Sequence, residues 1–148
     1  ILDSLQVELC FYIEKQGYQA LPIPASQVVD FKQMTAHLSH RHIAYLAGLG
    51  WYGRNNLLVH HLYGSSLRFA TVLTDMPLTL GKITSNDCGP CRKCATLCPA
   101  NAINESFRDF SKDKCQEKLR EFQRKPGVNH MICGVCVKAC RGKKTWVK

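Results

Sequence analysis

The chain has 148 residues, 45% of them hydrophobic, and a formal net charge of +9. This length suffices for one ordinary domain, or for a small domain with a compact appendage, and the composition excludes a disordered tail. The chain lacks both the apolar run of about 18 residues that would span a membrane and the basic-then-apolar start of a signal peptide. We therefore expect a cytoplasmic protein and, because the chain starts without Met inside an amphipathic stretch, part of a longer one.

The first half of the chain mixes predicted helices and strands. A surface helix that packs on a sheet is predicted over 2–15, with Gly17 as its stop signal. Its apolar residues recur at helical spacing: Leu2, Leu5, Leu9, Tyr12 and Ile13. A short strand is predicted at 18–23, and a second helix runs from about His40 to Leu49 after a segment too mixed to assign.

Two further strands are predicted at 56–60 and 67–73, joined as a hairpin by the turn-prone residues 63–66. A polar link then precedes the first cysteines, and a helix is predicted at about 111–124. We expect an α+β protein with a boundary near residue 85. Residues 1–85 would form an α/β cofactor or docking region, and residues 86–148 a ferredoxin-like module.

The second half is dominated by cysteine. Four cysteines stand at spacings of two, two and three residues, with Pro99 directly after them: Cys88, Cys91, Cys94 and Cys98. Bacterial ferredoxins hold iron–sulfur clusters with this run. A shorter group lies downstream, and a lone cysteine separates the two groups: Cys133, Cys136 and Cys140, with Cys115 between. These thiols suffice for two 4Fe-4S clusters.

In two-cluster ferredoxins the fourth cysteine of such a run reaches the other cluster. We therefore predict that cluster one is held by Cys88, Cys91, Cys94 and Cys140. Cluster two would be held by Cys98, Cys115, Cys133 and Cys136. Small residues between the ligands, such as Gly89 and Gly134, let backbone amides approach the sulfurs. A buried helix thiol at Cys115, a zinc site and disulfides are the alternatives, and Cys10 is predicted to be a packed core thiol.

Basic residues gather in two runs that could contact a phosphate backbone. Equally, they could be solvated faces whose positive charge compensates the negative charge of the iron–sulfur clusters. The first contains Lys112, Lys114, Lys118, Arg120, Arg124 and Lys125, and the second Arg141, Lys143, Lys144 and Lys148. Histidines also stand in pairs, His40 with His42 and His60 with His61. Either pair could bind a metal or donate protons, although polar ends of helices and strands often collect such residues.

The segment 47–54 reads Ala-Gly-Leu-Gly-Trp-Tyr-Gly-Arg, and it is followed by Gly-Ser at 64–65, a strand ending in Thr74-Asp75, and the cysteine module. This ordered combination resembles the epoxyqueuosine reductase family over about residues 34–140. The resemblance implies a cobalamin-dependent iron–sulfur reductase related to the reductive dehalogenases. On that basis a corrinoid pocket would be bordered by Gly48, Leu49, Gly50, Trp51, Gly53, Gly64 and Ser65; the alternative is a helix C-cap with Trp51 in the core.

The chain departs from the family at several positions. Met34 stands where the family carries an aspartate proposed as proton donor, Arg54 replaces a lysine, and Arg141-Gly142 replaces Pro-Trp after the last cysteine. His37 could replace the acid, but the catalytic residue is unknown. We expect an oxidoreductase that passes electrons through two clusters to a bound corrinoid. A flavodoxin or ferredoxin would supply the electrons. Contact with tRNA is a further expectation, drawn from the basic runs. The alternative is a non-catalytic ferredoxin-type electron-transfer protein.

Overall fold

The computed structural model describes residues 1–25, 28–30 and 35–142. Met34 and the lysines Lys143, Lys144 and Lys148 lie outside the described residues. The chain forms two compact units: the first contains residues 1–49 and 68–83, the second residues 50–67 and 84–148. Whether residue 85 separates two independent domains stays a prediction.

The described chain combines helices with two small antiparallel sheets, so its α+β class is confirmed. The helices are α1 Leu2–Lys15, α2 His40–Leu46, α3 Lys93–Thr96, α4 Lys112–Gln123 and α5 Val135–Ala139, with a 3-10 turn at Phe107–Asp109. The strands are β1 Ala20–Ile23, β2 Trp51–Tyr52, β3 Leu58–Val59 and β4 Thr71–Thr74. Within the described ranges, no helix combines the length and the apolar character that crossing a bilayer requires.

In the first unit, α1 packs on a sheet of β1 and β4. The two strands pair antiparallel from Ala20 opposite Thr74 to Ile23 opposite Thr71. The helix and the sheet were both predicted, but the strand that completes the sheet was assigned to another partner. Cys10 is buried at 6% exposure, which confirms its prediction as a core thiol.

The face that α1 buries differs from the predicted one. Leu5, Leu9 and Tyr12 are 53%, 48% and 59% exposed, whereas Gln6 is 3% exposed. The Gln6 side chain donates from Nε2 to the carbonyl oxygens of Ile23 at 2.6 Å and Thr71 at 2.8 Å. A buried amide needs such partners, so these hydrogen bonds set the rotation of the helix.

α2 begins at Ser39, whose side chain accepts a hydrogen bond from the backbone amide of His42 at 3.3 Å. It ends three residues earlier than predicted. Gly48 lies just beyond it with a φ of +75°, a conformation that glycine adopts without steric cost. The amide of Leu49 donates to the carbonyl of Ala44 at 3.0 Å and closes the helix end.

The predicted hairpin of 56–60 with 67–73 is wrong. In the second unit β3 pairs with β2, with Trp51 opposite Val59 and Tyr52 opposite Leu58. His60 and Gly64 exchange two backbone hydrogen bonds of 2.8 Å. That bridge turns the chain back on itself before residue 67, so residues 71–74 are left to pair with β1 instead.

The remainder of the second unit is built around the cysteines. α3 packs against α5. The predicted helix at 111–124 is confirmed as α4, which begins after Ser111; the Ser111 hydroxyl accepts from the backbone amide of Lys114. The small core of this unit includes Ala102 and Ile103, which are 0% and 6% exposed.

Candidate metal centre

The first cysteine run follows a tight turn and then enters a short helix. The amide of Cys91 donates to the carbonyl of Cys88 at 3.1 Å, and the Asp87 carboxylate accepts from the amide of Gly89 at 2.7 Å. Cys94 lies within α3 and is buried. Cys98 follows the helix, and its Sγ accepts a hydrogen bond from the amide of Ala102 at 3.4 Å. The thiols of the first run therefore project from three places: the turn, the short helix and the residues that follow the helix.

The second cysteine group uses the same plan. Gly134 has a φ of +73° and begins α5, which contains Cys136 and ends at Cys140. Cys133 precedes this helix. Cys115 lies in the first half of α4, so three separate segments of the second unit supply thiols.

Electrostatic interactions connect the first run with the last cysteine. Burial raises the pKa of Cys94, and repulsion by the thiols of Cys140, Cys88 and Cys136 raises it further. The pKa of Cys140 is also raised by burial and by Cys88 and Cys91, while hydrogen bonds from Ser65 act in the opposite direction. Cys140 is thus an electrostatic neighbour of the first run.

A second set of interactions connects the remaining thiols. Burial raises the pKa of Cys115, with added repulsion from Cys98 and Cys133. Burial likewise raises the pKa of Cys136, followed by repulsion from Cys133, Cys115 and Cys98. These thiols would be costly to ionise together without a cation, which is a property of a metal-binding donor set.

The spread of the thiols differs from that of a site for one ion. Four sulfurs around one zinc lie about 3.8 Å apart, given a tetrahedral site with Zn–S bonds of about 2.3 Å. Within 1–25, 28–30 and 35–142, no three His, Cys, Asp or Glu side chains are grouped tightly enough for a single metal ion. Thiols that interact electrostatically without such a grouping are compatible with a multi-iron core, which is larger than a single ion. Both predicted quartets stay a prediction.

Arg54 holds the loop of the first cysteine run. Its Nη1 donates to the carbonyl of Cys91 at 2.8 Å and its Nη2 to the carbonyl of Gly89 at 3.0 Å. The side chain is only 14% exposed and lies 4.0 Å from the carboxylate of Glu105, which also forms an ion pair with Arg92. Arg54, which replaces a lysine of the family that the chain resembles, therefore holds the loop that carries Cys88 and Cys91.

Ser65 and its neighbours contact the last cysteine. The amide of Ser65 donates to the carbonyl of Cys140 at 3.1 Å, and its hydroxyl accepts from Asn55 Nδ2 at 3.1 Å. Asn55 and Ser65 are 3% and 4% exposed. Asn55 was not among the predicted site residues, because a polar residue in a turn has no pattern that distinguishes a buried position from a solvated one.

The glycines predicted to border a corrinoid make close contacts with the protein itself. Within the first unit a Cβ on Gly48 would overlap the carbonyl of Lys82; within the second, a Cβ on Gly50 would overlap that of Val59. A Cβ on Gly53 would meet Val59 and Asn55, and one on Gly64 would meet Cys140. Leu49 is 47% exposed. The bare backbone at these positions thus serves packing, and the corrinoid contacts stay a prediction.

A cavity of about 690 Å³ lies within the second unit, beside three thiols of predicted cluster one. Its lining includes Trp51, His60, Cys88, Cys91 and Cys140. Trp51 Nε1 is buried without a hydrogen-bond acceptor among the described residues. The cavity therefore offers a ligand the ring of Trp51 and three thiols.

The histidine pairs are occupied by protein contacts. His40 lies within hydrogen-bond distance of Thr71 Oγ1 through Nδ1 at 2.8 Å and of the Pro24 carbonyl through Nε2 at 3.2 Å. His60 Nδ1 accepts from the amide of Leu62 at 3.1 Å, and its ring lies 4.4 Å from that of His61. Burial, followed by repulsion from His61, lowers the pKa of His60. His37 is exposed, and the structure assigns it no catalytic contact.

Comparison with known proteins identifies the relatives of this chain. An epoxyqueuosine reductase from Bacillus cereus is 30% identical over 151 residues, covering 96% of this chain and 37% of that protein. The chain belongs to an epoxyqueuosine reductase-like family. A tetrachloroethene reductive dehalogenase from Sulfurospirillum multivorans is 30% identical over 147 residues, covering 89% of this chain and 27% of that protein. No protein-family model matches the chain.

Solved structures of epoxyqueuosine reductases have the same fold as this family member. The enzyme from Streptococcus thermophilus superposes with a TM-score of 0.63 at 20% identity, covering 95% of this chain and 40% of that one. A second epoxyqueuosine reductase, solved with a tRNA stem loop, gives a TM-score of 0.61 at 24% identity, covering 94% of this chain and 38% of that one. The chain thus spans less than half the length of these relatives.

Proposed function

We propose that this chain is an iron–sulfur oxidoreductase module that carries two 4Fe-4S clusters. Cluster one is assigned to the thiols of Cys88, Cys91, Cys94 and Cys140. Cluster two is assigned to those of Cys98, Cys115, Cys133 and Cys136. The observation that carries the proposal is that thiols from separate segments interact electrostatically, mostly within these two sets, with Cys136 also acting on Cys94 across them.

The protein's own residues prepare these thiols for ligation. Gly134 turns the chain so that Cys133 and Cys136 flank the start of α5, and Cys94 is buried in α3. The Ala102 amide donates to the Cys98 sulfur, as amides near ligating sulfurs commonly do. When bound, the clusters would supply one-electron transfer and a corrinoid would supply a cobalt centre that accepts electrons.

The corrinoid is proposed because of the likeness to a reductive dehalogenase and because of the cavity in the second unit. That cavity combines proposed cluster-one thiols with the side chain of Trp51. A ligand placed there would pack against Trp51 and lie beside Cys88, Cys91 and Cys140. The substrate is left open, because Met34 occupies the position of the expected proton donor.

The test of the clusters is anaerobic reconstitution of the whole chain with iron and sulfide. We expect about eight iron atoms per chain and the spectrum of two 4Fe-4S clusters. Cys115→Ala should lose half of the iron, whereas Cys10→Ala, which alters a buried thiol in the first unit, should retain all of it. Absence of iron from the reconstituted protein, or equal loss in both variants, would refute the proposal.

Hydroxocobalamin tests the corrinoid separately. Binding should shift its visible spectrum, and Trp51→Ala should weaken binding because the aromatic ring that lines the cavity is lost. An unshifted spectrum would favour the alternative function, a non-catalytic ferredoxin-type electron-transfer protein. Met34 at the expected acid position favours that alternative, which predicts reversible reduction of the clusters without turnover of a substrate.

Two partners are proposed. A flavodoxin or ferredoxin would supply electrons, which rapid reduction of the reconstituted clusters by either protein would support. A tRNA would meet exposed basic residues along α4 and at its C-terminal end: Lys114, Arg120 and Arg124. Such binding should weaken steeply with added salt, and binding that persists unchanged at high salt would contradict it. Thiolate-ligated clusters need a reducing compartment, so the cytoplasm is the proposed location.

A further inference from the structure

The turn between β2 and β3 reaches two distant cysteine segments from adjacent positions. Arg54 extends to the loop of Cys88 and Cys91, and Asn55 contacts Ser65, whose amide donates to the Cys140 carbonyl. The two segments are brought near the same hairpin although they lie far apart in the chain. Both belong to the quartet assigned to cluster one.

The Arg54 arm carries a positive charge into a poorly solvated place. Its two terminal nitrogens donate to the carbonyls of Cys91 and Gly89, a planar fork that lysine cannot reproduce. Among the described residues its Nε, which is buried, has no acceptor. The carboxylate of Glu105 is 61% exposed and 4.0 Å away, so it compensates the charge only in part.

The Asn55 arm is a hydrogen-bonded relay that leads to a thiol. Asn55 Nδ2 donates to the Ser65 hydroxyl oxygen, which leaves the single O–H of Ser65 free to donate onward. The Ser65 amide donates to the Cys140 carbonyl at 3.1 Å, and the Ser65 side chain also forms a hydrogen bond with the Cys140 side chain.

We propose that Arg54, Asn55 and Ser65 are positioning residues for cluster one, and that Ser65 raises its reduction potential by donating a hydrogen bond to the Cys140 sulfur. The proposal rests on the proposed function. The reduced cluster carries one more negative charge than the oxidised cluster, so a donor at a ligating sulfur and a nearby guanidinium stabilise the reduced form more. The electron comes from an added reductant such as dithionite, and no bond is made or broken.

The experiment is a redox titration of the reconstituted chain, followed by electron paramagnetic resonance. Ser65→Ala should make cluster one about tenfold harder to reduce at equilibrium, which is about 59 mV for one electron. The potential of cluster two should not move. Ser66→Ala is the matched control, because the neighbouring Ser66 hydroxyl donates to the carbonyl of Val137 rather than to a thiol. Titrations in Cys115→Ala and Cys88→Ala backgrounds assign each signal to one cluster.

A second pair of variants tests the Arg54 arm. It also tests the proposal if Ser65→Ala does not fold. Arg54→Gln should make cluster one harder to reduce in the same direction. Arg92→Gln is the control, since Arg92 binds the same glutamate but is 61% exposed. Wild-type protein without iron would overturn the proposed function itself. Two intact clusters whose potentials are unchanged by Ser65→Ala and Arg54→Gln, or shifted equally, would overturn this inference alone.

Discussion

Gly64 lies against the carbonyl group of Cys140, and a Cβ at position 64 would overlap that carbonyl oxygen. The contact is between backbones, so no side-chain movement can relieve an added methyl group. Gly64 also has a φ of +61°, which is unfavourable for other residues. The close packing of this glycine therefore brings the segment after β3 against the backbone of a proposed cluster ligand.

Gly64→Ala should remove cluster one and destabilise the second unit. The expected loss exceeds the cost of about 1–2 kcal/mol for a left-handed residue, because the Cys140 backbone must also move. The measurements are iron content after reconstitution and the midpoint of chemical unfolding. We expect iron to fall by half, with the signal of cluster two retained.

Gly127→Ala separates the cost of backbone strain from the cost of overlap with the Cys140 backbone. Gly127 has a φ of +82° but nothing within 4 Å of a built Cβ, so it reports backbone strain without overlap. Its cost should be about 1–2 kcal/mol with full iron content. Equal effects of the two substitutions would show that the contact with Cys140 has no importance for the ligand.

The sequence alone suggests ligands for the centre but not the residues that support them. Cysteine spacing has chemical meaning, so Cys88 and Cys140 could be proposed as ligands from the sequence alone. The support by Asn55 depends on a distant hydroxyl at Ser65, and such contacts follow from packing rather than from local pattern. The glycines at 48 and 64 were predicted to approach a cofactor, but their closest approach is to protein backbone.

The interleaving of the quartets can be tested with pairs of substitutions. Cys88→Ala and Cys140→Ala together should cost no more iron than either alone, because both remove the same cluster. Cys88→Ala with Cys136→Ala should remove both clusters, since Cys136 is assigned to the other quartet. Iron content and paramagnetic resonance of each double variant give the readout.

Quartets that are not interleaved would change the result for the first pair but not for the second. If Cys140 belonged with Cys133 and Cys136, the first pair would remove both clusters. The repulsion of Cys140 by Cys88 and Cys91 supports the interleaved assignment. Cys10→Ala again provides a control for loss of a buried thiol.

His40 is expected to stabilise the first unit without binding metal. Its ring contacts Thr71 Oγ1 and the Pro24 carbonyl, so both nitrogens are engaged. His40→Ala should lower the free energy of unfolding by about 1–3 kcal/mol, since the hydroxyl of the buried Thr71 loses its partner. Iron content should stay at the wild-type value. His37→Ala, at an exposed position, should change neither quantity, and a loss of iron in His40→Ala would restore the metal-ligand interpretation.

The prediction of the fold was correct where a local signal was sufficient. It failed where a distant polar partner decided the packing. α4 was predicted to within a residue at each end, because its start signal at Ser111 is local. The rotation of α1 could not be predicted, because an apolar stripe of leucines outweighs a single Gln6 in any count of periodicity. Pairing of β4 with β1 joins strands that are distant in sequence, which local turn signals cannot indicate.

Gln6→Leu tests whether hydrogen bonds or apolar area orient α1. Leucine is similar in size and more hydrophobic, so burial of area alone predicts a gain in stability. We expect a loss of about 2–4 kcal/mol instead, because the carbonyls of Ile23 and Thr71 would lose their donor inside the unit. Chemical denaturation measures the difference, and Leu5→Ala on the exposed face should stay within about 0.5 kcal/mol of wild type. A stabilised Gln6→Leu variant would mean that α1 is held by its apolar contacts and that Gln6 merely fills the space.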